Sequence, residues 1–212
     1  MHSPFTPRIC TRSIYALVLL NFLLTPALAQ KKAEQLVPNE YYPYFVGTTW
    51  VYSGEGQEVT VTISDHAVVE GKRCAVMESA VGGNTMFVEH MHAAKDGVYR
   101  LKMANETISP AWKILQFPIK EGVSWDCKSE MEGVTAVAKN KLSKAKVKVA
   151  AGTFDTIQVT SDVEMKDAKG ATVHKMVLTS YMAKGVGMVK QVRESTGEKT
   201  VLELKQFKKA GK

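Results

Sequence analysis

The stretch Pro43-Tyr-Phe-Val-Gly47-Thr-Thr-Trp50 has an echo 75 positions further along, Pro118-Ile-Lys-Glu-Gly122-Val-Ser-Trp125. In both, glycine follows proline after four residues and tryptophan follows glycine after three. Neither copy carries a catalytic signature, so the echo reads as architecture: a unit written twice, each copy opened by a glycine that lets the chain bend into a strand. Between and after the echoes, short alternating runs are separated by turn signals, the mark of antiparallel sheet. In Gln57 to Ile63, Val59, Val61 and Ile63 fall on one face and Glu58, Thr60 and Thr62 on the other. Glu70-Gly71, Gly82-Gly83-Asn84 and Ala94-Lys95-Asp96-Gly97 punctuate the first half; Ala151-Gly152, Asp167 to Gly170, Lys184-Gly185 and Ser195 to Glu198 punctuate the second.

The repeats are expected at about 41–105 and 116–207, inside one β domain of 41–208. Ser109-Pro110-Ala111-Trp112-Lys113-Ile114-Leu115-Gln116 breaks the alternation with a capping serine and a proline at a first helical position, and is expected to form a single helical turn linking them. A unit of this length is too long for a solenoid and occurs too few times for an array. Two antiparallel meanders, about ten strands in all, hide their edges by closing into a barrel or curling into a half-barrel. The predicted fold is therefore all-β, with Trp50 and Trp125 at equivalent inward positions. On that basis Trp125→Ala costs about 3–5 kcal/mol.

The first residues stand apart. Arg8 and Arg12 precede an apolar run from Ile14 to Leu24, then Pro26 and Ala27-Leu28-Ala29, a basic region, an apolar region and a small-x-small cleavage site. Residues 1–29 read as a signal peptide and 30–40 as a polar leader; the apolar run falls well short of the roughly 20 residues of a spanning helix. Removing 29 of the 212 residues leaves 183, with 26 basic against 21 acidic side chains. That mild excess, on an exported chain without interleaved aromatic and arginine residues, excludes a nucleic-acid partner. Lys139, Lys141, Lys144, Lys146 and Lys148, a lysine at every second or third position, read as a solvated strand face or an edge guard. No further apolar segment is long enough to anchor the processed chain in a membrane.

Cys10 leaves with the signal peptide, so Cys74 and Cys127 remain as an even pair in an oxidising compartment, a disulfide candidate against the alternative of two buried thiols. His90-Met91-His92 has the one metal-like spacing, since residues two apart share a strand face. The nine remaining methionines would suit copper, yet they lack Met-x-x-Met clustering and are better explained as core fillers. Nucleophile elbows, paired carboxylates and phosphate-cradling loops find no counterpart, and no cofactor is implied.

Three segments, YYPYFVGTTWVY (41–52), AAGTFDTIQV (150–159) and SYMAKGVGMVKQV (180–192), together resemble a loosely defined group of exported bacterial β proteins of unknown function. That group opens with Tyr/Phe-Pro…Gly-x-x-Trp-x-Tyr, continues with Ala-Gly-x-Phe-Asp-Thr and closes with Ala-x-Gly-Val-Gly-x-Val; here Ser180-Tyr181 stands where Trp-Tyr is frequent. The resemblance implies a curled or barrel-like domain of the cell envelope, periplasmic or secreted, and carries no catalytic residue. The resulting expectation is a non-enzymatic binding module whose concave face, with Trp50, Tyr99, Trp125 and Tyr181, accepts a small apolar or amphipathic ligand. Its rivals are a structural domain with a filled core that meets another envelope protein, and a metal-binding periplasmic protein using His90 and His92.

Overall fold

The structure, a computed structural model, describes residues 32–211; the signal-peptide reading and Cys10 lie outside them. Among the described residues there are twelve strands and no helix: β1 (Thr49–Gly54), β2 (Gln57–Val69), β3 (Lys72–Val81), β4 (Asn84–Ala94), β5 (Gly97–Met103), β6 (Glu106–Gln116), β7 (Ser124–Met131), β8 (Val134–Val149), β9 (Gly152–Lys166), β10 (Thr172–Ala183), β11 (Gly187–Ser195) and β12 (Glu198–Lys208). Each strand pairs antiparallel with its sequence neighbours, and β1 pairs with β12, so the meander closes into a barrel.

The segment expected to be a helical turn is instead the second half of β6. Its proline lies in a wide irregularity where residues 108–111 fall between the pairs Lys102↔Thr107 and Arg100↔Trp112. A residue without an N–H is tolerated where the ladder is already interrupted, and that extra strand is one reason the count exceeds ten.

The two echoes fold alike. Gly47 and Gly122 have φ of +87° and +83°, values that favour glycine. The Gly47 amide donates to the Ile63 carbonyl (2.8 Å) and the Ile63 amide returns to Thr48; Gly122 and Val123 make the same exchange with Leu142 (2.9 Å in both directions). Trp50 and Trp125 are each the second residue of the following strand, and each indole N–H donates to a backbone carbonyl, Val186 (2.7 Å) and Lys113 (3.1 Å) respectively. Their surroundings differ. Trp50 is buried in the main core, whereas Trp125 is half-buried against it.

The difference arises at the junction of β6 and β7, where the backbone ladder reduces to one pair, Ser109↔Glu130. Inward side chains of β7 bridge the opening instead: the Trp125 indole and the Cys127 thiol both donate to the Lys113 carbonyl, and the Ser129 hydroxyl donates to Pro110 (2.6 Å). Lys139, Lys141, Lys144, Lys146 and Lys148 are all exposed along β8, although Lys141 and Lys144, three residues apart, belong to opposite faces of the strand. The β8–β9 hairpin extends far enough for the Ala151 amide to reach the Leu204 carbonyl of β12 (3.0 Å).

The leader closes one end. The Glu34 amide bonds the Gly71 carbonyl, the Arg73 amide bonds Glu34, and the Val37 amide bonds Ala93, so the chain enters where β3 and β4 diverge. Further on, the Gly185 amide bonds the Glu40 carbonyl at the β10–β11 turn, across the barrel. Tyr41 and Tyr44 are buried and join the core. The polar leader is thus a floor, and the opposite rim carries the short hairpin turns, among them Glu55-Gly56 and Glu132-Gly133, whose residues all have positive φ.

Near the floor, Gly97 opens β5 opposite Gln116. A Cβ there would stand 2.3 Å from the Leu115 carbonyl oxygen, a backbone atom that cannot move without parting β5 from β6. Gly97→Ala is expected to cost about 1–3 kcal/mol, read as a lowered urea midpoint; an unchanged midpoint would show that these strands separate freely.

Candidate functional site

Because side chains alternate along a strand, every second residue of the wall faces the lumen: Val59 and Val61 on β2, Phe87, Glu89 and Met91 on β4, Leu178, Ser180 and Met182 on β10. They line a cavity of about 390 Å³, toward the small end of the ~300–1,000 Å³ typical of small-molecule sites. Tyr42 rises into it from the floor, beside Trp50, Tyr52 and Met188.

Most polar groups around the cavity are satisfied within the wall. The Tyr52 hydroxyl donates to the Met188 carbonyl (2.9 Å), as the Trp50 indole does to Val186, so both rings offer apolar surface to the lumen. Gln191 Nε2 donates to Ser180 Oγ (3.0 Å), and Ser161 Oγ donates to the buried Asn140 Oδ1 (2.6 Å). Glu89 and Arg100, on the neighbouring strands β4 and β5, form an ion pair with Nε–Oε1 at 2.5 Å. The approach lies off the N–H axis, so charge rather than a well-aligned hydrogen bond holds it. Burial raises the Tyr42 hydroxyl well above the ordinary phenol value; the Arg100 charge opposes that shift and Glu89 adds to it. The hydroxyl has no hydrogen-bond partner among the described residues, and neither has Arg193, which lines the cavity from β11.

Of the four aromatics expected to share a concave face, Trp50 alone lines the lumen. Trp125 faces inward but is taken up by the β6–β7 junction. Tyr99 pairs across the ladder with His92, on the outward face of β4; its hydroxyl donates to Asp96 Oδ2 (2.5 Å), and Lys113 Nζ stands 5.1 Å from its ring centre. Burial alone would raise the Asp96 carboxyl, but the bonds from Tyr99 and Lys113 outweigh it and hold the carboxyl below its usual range. Stability from this cluster is therefore present above the ordinary carboxylate pKa and is lost as pH falls through the lowered value. Tyr181 alternates with the lumen-facing Ser180 and Met182, so it too points outward, half-buried.

His90 and His92 share the outward face of β4. Burial lowers the His90 pKa, with Lys102 adding to the effect. His92 is buried, with Nδ1 2.8 Å from the Arg73 carbonyl and Nε2 3.6 Å from Glu34 Oε1, so it fastens the leader. No group of three or more metal-ligating side chains gathers among the described residues.

The expected disulfide is absent: Cys74 and Cys127 are free thiols. They belong to β3 and β7, which three strands separate in the wall, beyond the reach of a bridge. Burial pushes the Cys74 thiol up to about 11, and a protonated, enclosed thiol is a poor nucleophile. Cys74 is expected to resist alkylation at pH 8 until the protein is unfolded; rapid labelling of the native chain at this residue would contradict its placement.

The lumen residues that sequence reasoning passed over are Tyr42, Glu89, Arg100 and Arg193. Glu89 had a usable signal, an acid between Phe87 and Met91 on an otherwise apolar strand face, which asks for a partner cation. Tyr42 had none, since the leader's path is set by tertiary contacts.

Comparison with known proteins agrees with this architecture. A family model described as DUF3108-like matches residues 126–201, the greater part of the second half. Two solved structures are similar: a candidate lipoprotein from Parabacteroides distasonis (TM-score 0.55, 11% identity, 81% of this chain and 100% of that one), and a protein from Bacteroides fragilis described as exported and of YmcC-like fold (TM-score 0.54, 12% identity, 81% and 100%). At such identities the likeness is one of fold. None of the curated proteins matches the sequence.

Proposed function

We propose that this protein is an exported, non-enzymatic binding protein of the cell envelope whose barrel lumen holds a small amphipathic ligand. The observation that carries this reading is the asymmetry of the lumen: a floor made by the chain's own leader, a rim of short turns, and between them a cavity lined by methionine, aliphatic and aromatic side chains with few free polar groups. Export is supported by the basic and apolar character of residues 1–29 and by the descriptions of the two similar structures as exported and as a candidate lipoprotein. A soluble barrel is supported by the outward positions of β7 and β8, where Asp126, Lys128, Glu130, Lys139 and Lys141 are exposed; a membrane barrel needs an apolar band there. A non-catalytic role is supported by Glu89, a lumen carboxylate already neutralised by Arg100.

Native mass spectrometry of the protein purified from its own host tests the reading. A discrete adduct lost on unfolding is expected. Bare protein, together with no change in tryptophan emission when single-chain amphiphiles are added, would leave the filled-core interaction domain as the better account.

A further inference from the structure

We infer that the ligand is a single-chain amphiphile bearing one negative charge, held with its tail toward the floor and its head at Arg193. The inference rests on the binding reading above. A cavity of about 390 Å³ accommodates on the order of a dozen water-sized groups at ~30 Å³ each, enough for one acyl-type chain and too little for two.

Charge sets the orientation. β5 and β11 lie on opposite sides of the twelve-strand wall. On the β5 side the Arg100 charge is compensated by Glu89. On the β11 side the Arg193 side chain lines the same cavity and has no ion-pair or hydrogen-bond partner among the described residues; the adjacent Glu194 points to the other face of the strand and is paired with Lys199. Since β11 runs from Gly187 at the floor to Ser195 at the rim, Arg193 stands near the mouth, while Met91, Met182 and Met188 lie toward the floor. A head-down anion would lose its water beside the Glu89 carboxylate and an apolar floor, an unfavourable place for an unpaired charge. A head-up anion meets an uncompensated guanidinium that binds carboxylate or phosphate through paired N–H donors and remains in contact with solvent. The thioethers below adapt to a chain that occupies no single conformation.

Trp50 and Trp112 both line the cavity, so their emission reports its occupancy. The protein is titrated with decanoate and with 1-decanol, which share a chain and differ in charge. Decanoate is expected to bind about tenfold more tightly, the scale of one charge-assisted contact. Arg193→Gln is expected to abolish that preference by weakening decanoate alone, Arg193→Lys to retain much of it, and Lys139→Gln on the outer wall to change neither affinity. Should Arg193→Gln fail to fold, added salt must narrow the gap in the unaltered protein. Equal affinities that are indifferent to Arg193 and to salt would overturn the inference and leave the binding reading standing. No response to either compound would overturn this inference, and bare protein in the native mass spectrum beside it would remove the binding reading as well.

Discussion

Trp50→Ala is expected to lower the stability of the barrel by about 3–5 kcal/mol, enough to depress the melting temperature of a chain this size by about 10 °C or more. The indole is 2% exposed, lies with its ring centre 5.7 Å from that of Phe207 across the β1–β12 closure, and donates to the Val186 carbonyl in the β10–β11 turn. Its removal leaves a void and an unpaired carbonyl at the place where the first and last strands meet. Trp125→Ala is expected to cost about half as much, because its ring is half-buried and the void opens toward the β6–β7 junction. Paired thermal melts decide the matter. Equal losses would mean that the two junctions are packed alike, against the contrast described above.

Starting the chain at Pro43 is expected to have an effect at least as large. The deletion removes four backbone bonds that tie the leader to the barrel, the buried Tyr41, and Tyr42 with its hydroxyl in the lumen. Burying one large aromatic side chain is worth about 1.5–3 kcal/mol, so the loss of two, with Leu36 packed beside them, brings the total to about 4 kcal/mol or more. Hydrogen exchange locates the effect. The amides of Arg73 and Gly185, which donate to Glu34 and Glu40, should lose protection, while Leu142, bonded to Val123, keeps it. If the truncated protein fails to fold, Leu36→Ser supplies a milder opening of the same floor. Unchanged melting and exchange would show that the leader is dispensable to the barrel.

The class of fold was legible because strand periodicity is local: Val59, Val61 and Ile63 declare their face without reference to anything distant. The likeness of the two strand entries was legible because Gly47 and Gly122 each need a conformation that glycine adopts readily, and that need leaves a mark in sequence. Strand β6 was misread because Ser109-Pro110 carries the local chemistry of a helix start, whereas its neighbours in the wall decide its conformation. The lumen was only partly legible. An alternating strand shows which residues lie together but not which way they face when both sets contain aromatics, as Tyr99 and Tyr181 do. The pairing of Cys74 with Cys127 was plausible by count and failed on strand order, a property of the closed wall that no short stretch encodes.

The junction of β6 and β7 has a mechanical consequence. Elsewhere the circumference is set by runs of main-chain bonds, but on this line a single main-chain pair is supplemented by an indole, a thiol and a hydroxyl that span the distance between strands. The barrel is a hoop with a clasp, and its girth can adjust at the clasp while every other pair of strands stays fastened.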